Sequence, residues 1–586
     1  MTAQPVRVWA PSAETVELVA PGADRSAVMT DDGAGWWRGP ALAPGTDYAF
    51  RIDGGQLLPD PRSPWQPAGV HAPSRTFDAS SFRWPAGWAG RAARGAVHYE
   101  LHLGTFTPGG TLDSAIDRIG HLADLGVEMI ELMPVAPFDG DRGWGYDGVS
   151  LHAVHEAYGG PAALQRFVAA AHAAGIGVCL DVVYNHLGPA GNYLAEFGPY
   201  FTDRHTTPWG DAVNLDGPDS GPVRALIVDS ALRWFTDFGI DALRLDAIHA
   251  LVDDSEVHLL AELAARTAEL SAQLGRPLSL VAESDLNQPS VVLPRAQGGL
   301  GMDAQWADDV HHALHTLMTG EQHGYYVDFG TLDALAKTMT EVFVHDGGHS
   351  TFRGMDWGAP VPPSLPGHAF VVSAQNHDQV GNRALGDRPS RVLTDGQLAI
   401  EAAVLLAGPY TPMLFMGEEW GARTPFQFFT SFPDLDLAAA VRAGRTDEFG
   451  SHGWEALYGG RIEVPDPQAV ATFEASRLDW SERDTPRGER LLAWYRQLIR
   501  VRREVADIAD DDRARTRVVH RADDESWFVL HRGDVVVAVN LSDAAQEIPL
   551  ADADQRAVLL AWNPVELGTD AVRLPGHNVA ILGPAG

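Results

Sequence analysis

Eight short apolar runs return along the chain between about residue 96 and residue 416, with helical stretches between them. They are Val97 to Leu103, Val127 to Leu132, Ile176 to Val183, Ala242 to Leu245, Leu278 to Ala282, the neighbourhood of Gln305-Trp306, Phe370 to Ala374 and Met413 to Met416. The intervening pattern has helical spacing: Thr111 opens a helix through Leu112, Ile116, Ile119, Leu122 and Leu125 that Gly126 ends, and another covers 161–174. Eight strands alternating with helices are what a (β/α)8 TIM barrel requires, so the fold class is α/β. A helix from Arg490 to Arg503 closes it.

The flanks read differently. Residues 1–90 carry alternating runs, Val6 to Ala10 and Thr15 to Val19, punctuated by Pro21-Gly22, Asp32-Gly33 and Asp53-Gly54, the pattern of a small immunoglobulin-like β-sandwich. The stretch from Ser80 to Arg94, rich in Trp, Pro, Gly and Ala, marks the passage to the barrel, over 91–505. Beyond it, Ser526 to Leu530 and Val535 to Val539 predict a second small β domain over 506–586. A net charge of −35 argues against nucleic acid or an acidic membrane surface as partner, because a polyanion is repelled. The single cysteine, Cys179, lies in an apolar run and reads as a buried thiol; a chain with one cysteine has no internal disulfide and suits a reducing compartment. No 18 apolar residues run together, and Met1 to Pro5 lack the features of a secretory signal, so a cytoplasmic location is expected.

In such barrels the reacting groups sit at the carboxyl ends of the strands. Four strand ends carry polar clusters that an apolar strand does not need: Asp181 to His186, Arg244-Leu245-Asp246, Ala282-Glu283-Ser284-Asp285 and Asn376-His377-Asp378. One Asp at a strand end is commonly the N-cap of the next helix, but four clusters in chain order are hard to explain by capping. Metalloprotease and nucleotide motifs are missing from this region. Arg244, two residues before Asp246, projects from the same face of the strand and favours the ionised form of that carboxylate. Glu283 is then available as the acid, and one ionised and one protonated carboxyl group are the equipment of a retaining glycosidase.

The four clusters resemble the signature segments of the α-amylase family of glycoside hydrolases, in their usual order. The resemblance implies that Asp246 attacks the anomeric carbon, Glu283 protonates the leaving oxygen and Asp378 holds sugar hydroxyls. It further implies that Arg244 orients Asp246, that His186 and His377 grip the same ring, and that Tyr146 stacks beneath it. Longer segments, among them Leu58 to Ser63, Gly239 to His249, Gln305 to Ala313, Gly417 to Gly421 and Thr424 to Thr430, are similar to the trehalose-releasing branch of that family. That likeness implies hydrolysis of the α-1,4 bond next to the terminal trehalose of maltooligosyl-trehalose, downstream of a maltooligosyl-trehalose synthase. His249 stands where many amylases carry a Lys on the leaving-group side, and Asp309 and His312 are further candidate contacts on resemblance. Asn185 matches a calcium ligand of many amylases; with no other ligand identifiable, no cofactor and no required metal are expected. Two other readings use the same scaffold: a glycogen branching transferase or general α-glucan hydrolase, and a non-catalytic glucan binder, which has no need of Glu283.

Overall fold

The computed structural model describes residues 5–20, 25–449 and 462–585. Eight parallel strands close into a barrel in chain order. They are β1 (His98–Leu101), β2 (Met129–Leu132), β3 (Gly177–Val182), β4 (Ala242–Leu245), β5 (Ser279–Ala282), β6 (Ala304–Trp306), β7 (Phe370–Ser373) and β8 (Thr411–Phe415). Every residue of these strands is buried, because the barrel covers one face and its helices the other, so each reads as an unbroken apolar run. The inner face carries Met129, Cys179, Ala242, Val281, Ala304, Trp306, Val371 and Met413 packed together. Cys179 is fully buried there, as the sequence predicts.

The helix expected from Thr111 is two helices, Leu112–Ile116 and Ile119–Leu125. Thr111 and Ser114 form a capping box at the start. At the joint, the Arg118 guanidinium lies 4.2 Å over the Trp480 ring, while both halves still bury their apolar faces. Gly126 ends the pair with a left-handed φ of 101°, which suits glycine. The closing helix, Pro486–Glu504, starts one turn earlier than expected, with Thr485 as N-cap and Pro486 at its first position.

Ahead of the barrel stand two sheets. One joins Pro5–Trp9, Trp36–Ala41 and Thr30–Gly33; the other joins Arg25–Val28, Val16–Ala20, Asp47–Ile52 and Leu57–Leu58. The expected Pro21-Gly22 turn lies outside the described residues. At Asp53 the turn is left-handed, and its carboxylate accepts the Glu14 and Thr15 N–H groups. Edge-on aromatic pairs, Trp9–Tyr200 and Phe50–Phe197, seat this unit on the barrel.

After the barrel come a five-stranded antiparallel sheet within 516–584 and a three-stranded one beside it. Arginines fasten this end to the barrel. Arg513 donates to the carbonyls of Thr340, Pro362 and Leu365, while Arg502, on the closing helix, donates to those of Leu406, Gly408 and Tyr410 within the barrel. Arg490 lies 3.7 Å over the Trp562 ring. Among the described residues no helix is long and apolar enough to cross a membrane.

Candidate active site

The site begins with strand register. Asp181 on β3 stands directly opposite Arg244 on β4, and alternation along β4 puts Arg244 and Asp246 on one side. Strand pairing therefore places a fully buried guanidinium between two carboxylates. Arg244 Nη1 donates to Asp181 Oδ2 at 2.8 Å and to Asp246 Oδ1 at 2.9 Å, and Nη2 lies 3.6 Å from Glu283 Oε2. Beneath it the Trp306 ring centroid is 4.4 Å away. Such a buried cation needs several acceptors to be tolerated.

Asp246 is held from the other side by Asn185, whose Nδ2 donates to Oδ2 at 2.9 Å and to the Asp246 carbonyl at 2.6 Å. The next residue, Ala247, has φ 37°, a strained left-handed conformation for a residue with a Cβ. Its N–H donates to Glu283 Oε2 at 2.5 Å. Burial pushes the Glu283 carboxyl up to about 8; Asp246 and Asp378 push the same way, against Arg244 and the Ala247 N–H. Asp181 is likewise raised to about 7, chiefly by burial.

At the end of β7, Asn376 caps a short helix, His377–Gly381, by accepting the Gln379 N–H. Glu100 on β1 receives the His377 N–H at 2.7 Å, and His377 Nδ1 lies 2.5 Å from its other oxygen. Burial opposes a charge on His377, yet Asp378 and Glu100 lift it to about 9. Its Nε2 is 2.7 Å from the Tyr146 hydroxyl and 3.3 Å from Asp378 Oδ2. The Tyr146 hydroxyl also donates to Asp181 Oδ2 at 2.7 Å, and its ring stacks on His377. His186 contacts the Tyr146 carbonyl through Nε2, bonds Asn185 through Nδ1, and stacks on Trp209 at 4.3 Å.

The structure thus gathers Asp246, Glu283, Asp378, Arg244, His186, His377 and Tyr146 at one mouth of the barrel. His249 sits beside them in the turn after β4, with Nδ1 3.9 Å from Asp285 Oδ1. Asp309 does not join them: its Oδ2 accepts the Val344 and His345 N–H groups and the Asn287 side chain, tying two loops together at 5% exposure. His312 stands within an aromatic wall, stacked on Tyr325 and edge-on to Tyr326 and Phe329, and burial lowers it to about 3. Asp181 and Glu100 were given no role in the expected site, although Asp181, like Asn185, stood in its β3 cluster; Trp306 was expected only as part of a strand. For the first two the signal was present, since a charge within an apolar strand is anomalous unless paired.

Asn185 bonds Asp246 through its amide nitrogen and His186 through its amide oxygen. Among the described residues, His205, Asp216 and Asp254 have ligand atoms close enough to share an ion, but Arg204 and the Asp254 N–H already contact the Asp216 carboxylate.

Comparison with known proteins agrees with this architecture. The α-amylase catalytic-domain model matches residues 73–206, and the model of a domain of unknown function matches residues 511–581. Barrel and strand-end carboxylates together define a glycoside hydrolase of the α-amylase type. Malto-oligosyltrehalose trehalohydrolases from Arthrobacter ramosus and Mycobacterium tuberculosis are 50% and 48% identical over 583 residues, 98% of this chain and 98% of each relative. A crystal structure described as a putative α-amylase from Salmonella typhimurium superposes with a TM-score of 0.89 at 38% identity, covering 99% of this chain and 97% of that one. The chain belongs to the malto-oligosyltrehalose trehalohydrolase family.

Proposed function

We propose that the chain hydrolyses the α-1,4 bond next to the terminal trehalose of maltooligosyl-trehalose, releasing trehalose and a maltooligosaccharide. The observation that carries the chemistry is one guanidinium, Arg244, contacting both Asp246 and Glu283. Asp246 attacks the anomeric carbon as the bond to the leaving oxygen breaks, and Glu283 passes its proton to that oxygen. In the second half Glu283, now a carboxylate, takes a proton from water, whose oxygen displaces Asp246 from the anomeric carbon. A retaining site of this kind needs its two carboxyl groups about 5–5.5 Å apart, and a shared guanidinium keeps them close.

The raised Glu283 supports its role as acid, since a carboxyl group near 8 holds its proton at neutral pH. Asp378 and His377 hold hydroxyls of the attacked ring, Tyr146 and His186 form its floor, and His249 faces the departing sugar. Asn185, Asp181 and Glu100 position these groups without touching the substrate. The reading extends to a division at 1–90, 91–505 and 506–586, and to action in the cytoplasm after a synthase has made the terminal trehalose. The buried lone thiol and the net charge of −35 support that setting.

The test is product chromatography after separate incubation with maltooligosyl-trehalose and a maltooligosaccharide of equal length. Preferred release of trehalose from the first supports the reading. Equal cleavage of both demotes the chain to a general α-glucan hydrolase, and a shifted iodine stain on amylose without new reducing ends assigns it to branching.

A further inference from the structure

We propose that the amino-terminal end of the barrel, the end away from the cleft, carries a binding site for a small phosphate-bearing anion, built by the loop that enters β1. The inference is independent of which bond the cleft cuts and gives the chain a second ligand.

The site is a cavity of about 380 Å³. It is lined by Arg91, Arg94 and their neighbours in the loop, by Glu128 just before β2 and by His368 just before β7. Small-ligand sites begin at roughly this size, about 300 Å³. Glycines let the loop approach so closely. A Cβ at Gly95 would stand 2.6 Å from His368 Nδ1, and one at Gly90 2.7 Å from Pro277 Cδ; both have left-handed φ, 75° and 84°. Between them Ala93 is buried against the barrel core, its N–H on Ser279 Oγ at 3.1 Å and its carbonyl 3.0 Å from His98 Nε2. The loop is thus pinned at its centre, with an arginine on either side of the pin.

Those arginines have donors to spare. Arg94 donates through Nε to the Asp303 carbonyl, and its two Nη atoms have no partner among the described residues. Arg91 Nη1 is 3.5 Å from Glu128 Oε1, the outer limit of a hydrogen bond, and its buried Nε has no partner. Arg503 stands 3.6 Å from the same Glu128 oxygen, so one carboxylate serves two guanidinium groups. Its other oxygen accepts the Val97 N–H at 3.2 Å, and the Asp303 carboxylate accepts the Leu280 N–H at 2.8 Å. Across the cavity His368 Nε2 meets Arg502 at 3.2 Å, with Asp511 3.7 Å from Nδ1. Burial, then Arg502, Arg532 and Arg94, hold the His368 imidazole down at about 4, with Asp510 opposing, so this wall lies in a positive field. In a chain of net charge −35 that is a local reversal of sign. The surface at large repels a long polyanion, while a small anion inside the cavity meets two forked guanidinium groups, the geometry that suits phosphate oxygens.

The test is calorimetric titration of the full chain at constant ionic strength with inorganic phosphate, a hexose phosphate and the uncharged hexose. Saturable binding of the phosphate-bearing probes and none of the hexose is expected. Tighter binding of the hexose phosphate assigns the site to a sugar ester, and equal binding to free phosphate. Arg94→Gln should weaken affinity about 10- to 100-fold, the value of a charge-assisted hydrogen bond. Ala92→Glu, at an exposed lining position, puts a carboxylate in the cavity and should abolish binding, so the test survives even if Arg94→Gln fails to fold. Without anion both variants should melt and hydrolyse maltooligosyl-trehalose as the unmodified chain does. No saturation with either phosphate probe, equal binding of the free hexose, or undiminished affinity in Ala92→Glu would overturn the proposal.

Discussion

Raising the pH through the range where Glu283 gives up its proton removes the acid, while Asp181 and His377, lifted to about 7 and about 9, titrate on either side of it. With its carboxyl at about 8 rather than the ordinary 4.5, Glu283 is about 97% protonated at pH 6.5 instead of about 1%. Burial, helped by Asp246 and Asp378, thus enriches the working acid about 100-fold at that pH. The expected profile of kcat/KM on maltooligosyl-trehalose is flat up to about pH 7, then falls about tenfold per pH unit above about 8. Stopped-assay quantification of trehalose over roughly pH 5–10 gives the curve, and Glu283→Gln must abolish it. An alkaline fall centred near pH 5, or a Gln variant with the same profile, would refute both the assignment and the argument from burial. Stability carries the same sign. Between pH 4.5 and about 8 the folded chain keeps a proton on Glu283 that the unfolded chain has released, so this group costs stability as pH rises through that window and costs no more above it. Denaturant midpoints at pH 6.5 and 8.5 should therefore fall further for the unmodified chain than for Glu283→Gln.

Asp246→Asn should lower turnover by at least about 10⁴-fold with the circular dichroism spectrum intact, and near-full activity would exclude it as nucleophile. Magnetic resonance of fresh product should show the α-anomer first; β first would mean inversion and no covalent step through Asp246. Glu100→Gln removes the buried charge that faces His377 Nδ1 at 2.5 Å, and should reduce kcat by about 10-fold or more while KM changes little. Asn185→Ala frees one side of Asp246 and should cost about 10- to 100-fold in kcat, without restoration by added calcium. Restoration by the cation would place an ion where the structure has an amide.

The barrel was legible because its strands are buried on both faces and appear as apolar runs; β4 matches its expected bounds residue for residue. Sequence periodicity does not show every break: the pattern from Leu112 to Leu125 continues across a joint at which Arg118 lies over Trp480. The three carboxylates proposed for catalysis and the guanidinium beside them were readable as charges at strand ends. Asp181 and Glu100 were not assigned, because pairing across strands depends on register, which no single strand reveals.

Arg513 reaches from the last unit of the chain to carbonyls at 340, 362 and 365, within the connection between β6 and β7. That connection also supplies Tyr325, Arg353 and the backbone that Asp309 grips. The start of the last unit is accordingly a tie to the segment that carries these groups, made from outside the barrel. Grafting the barrel onto another tail, or exchanging tails among relatives, would release that connection unless it travels with its anchor.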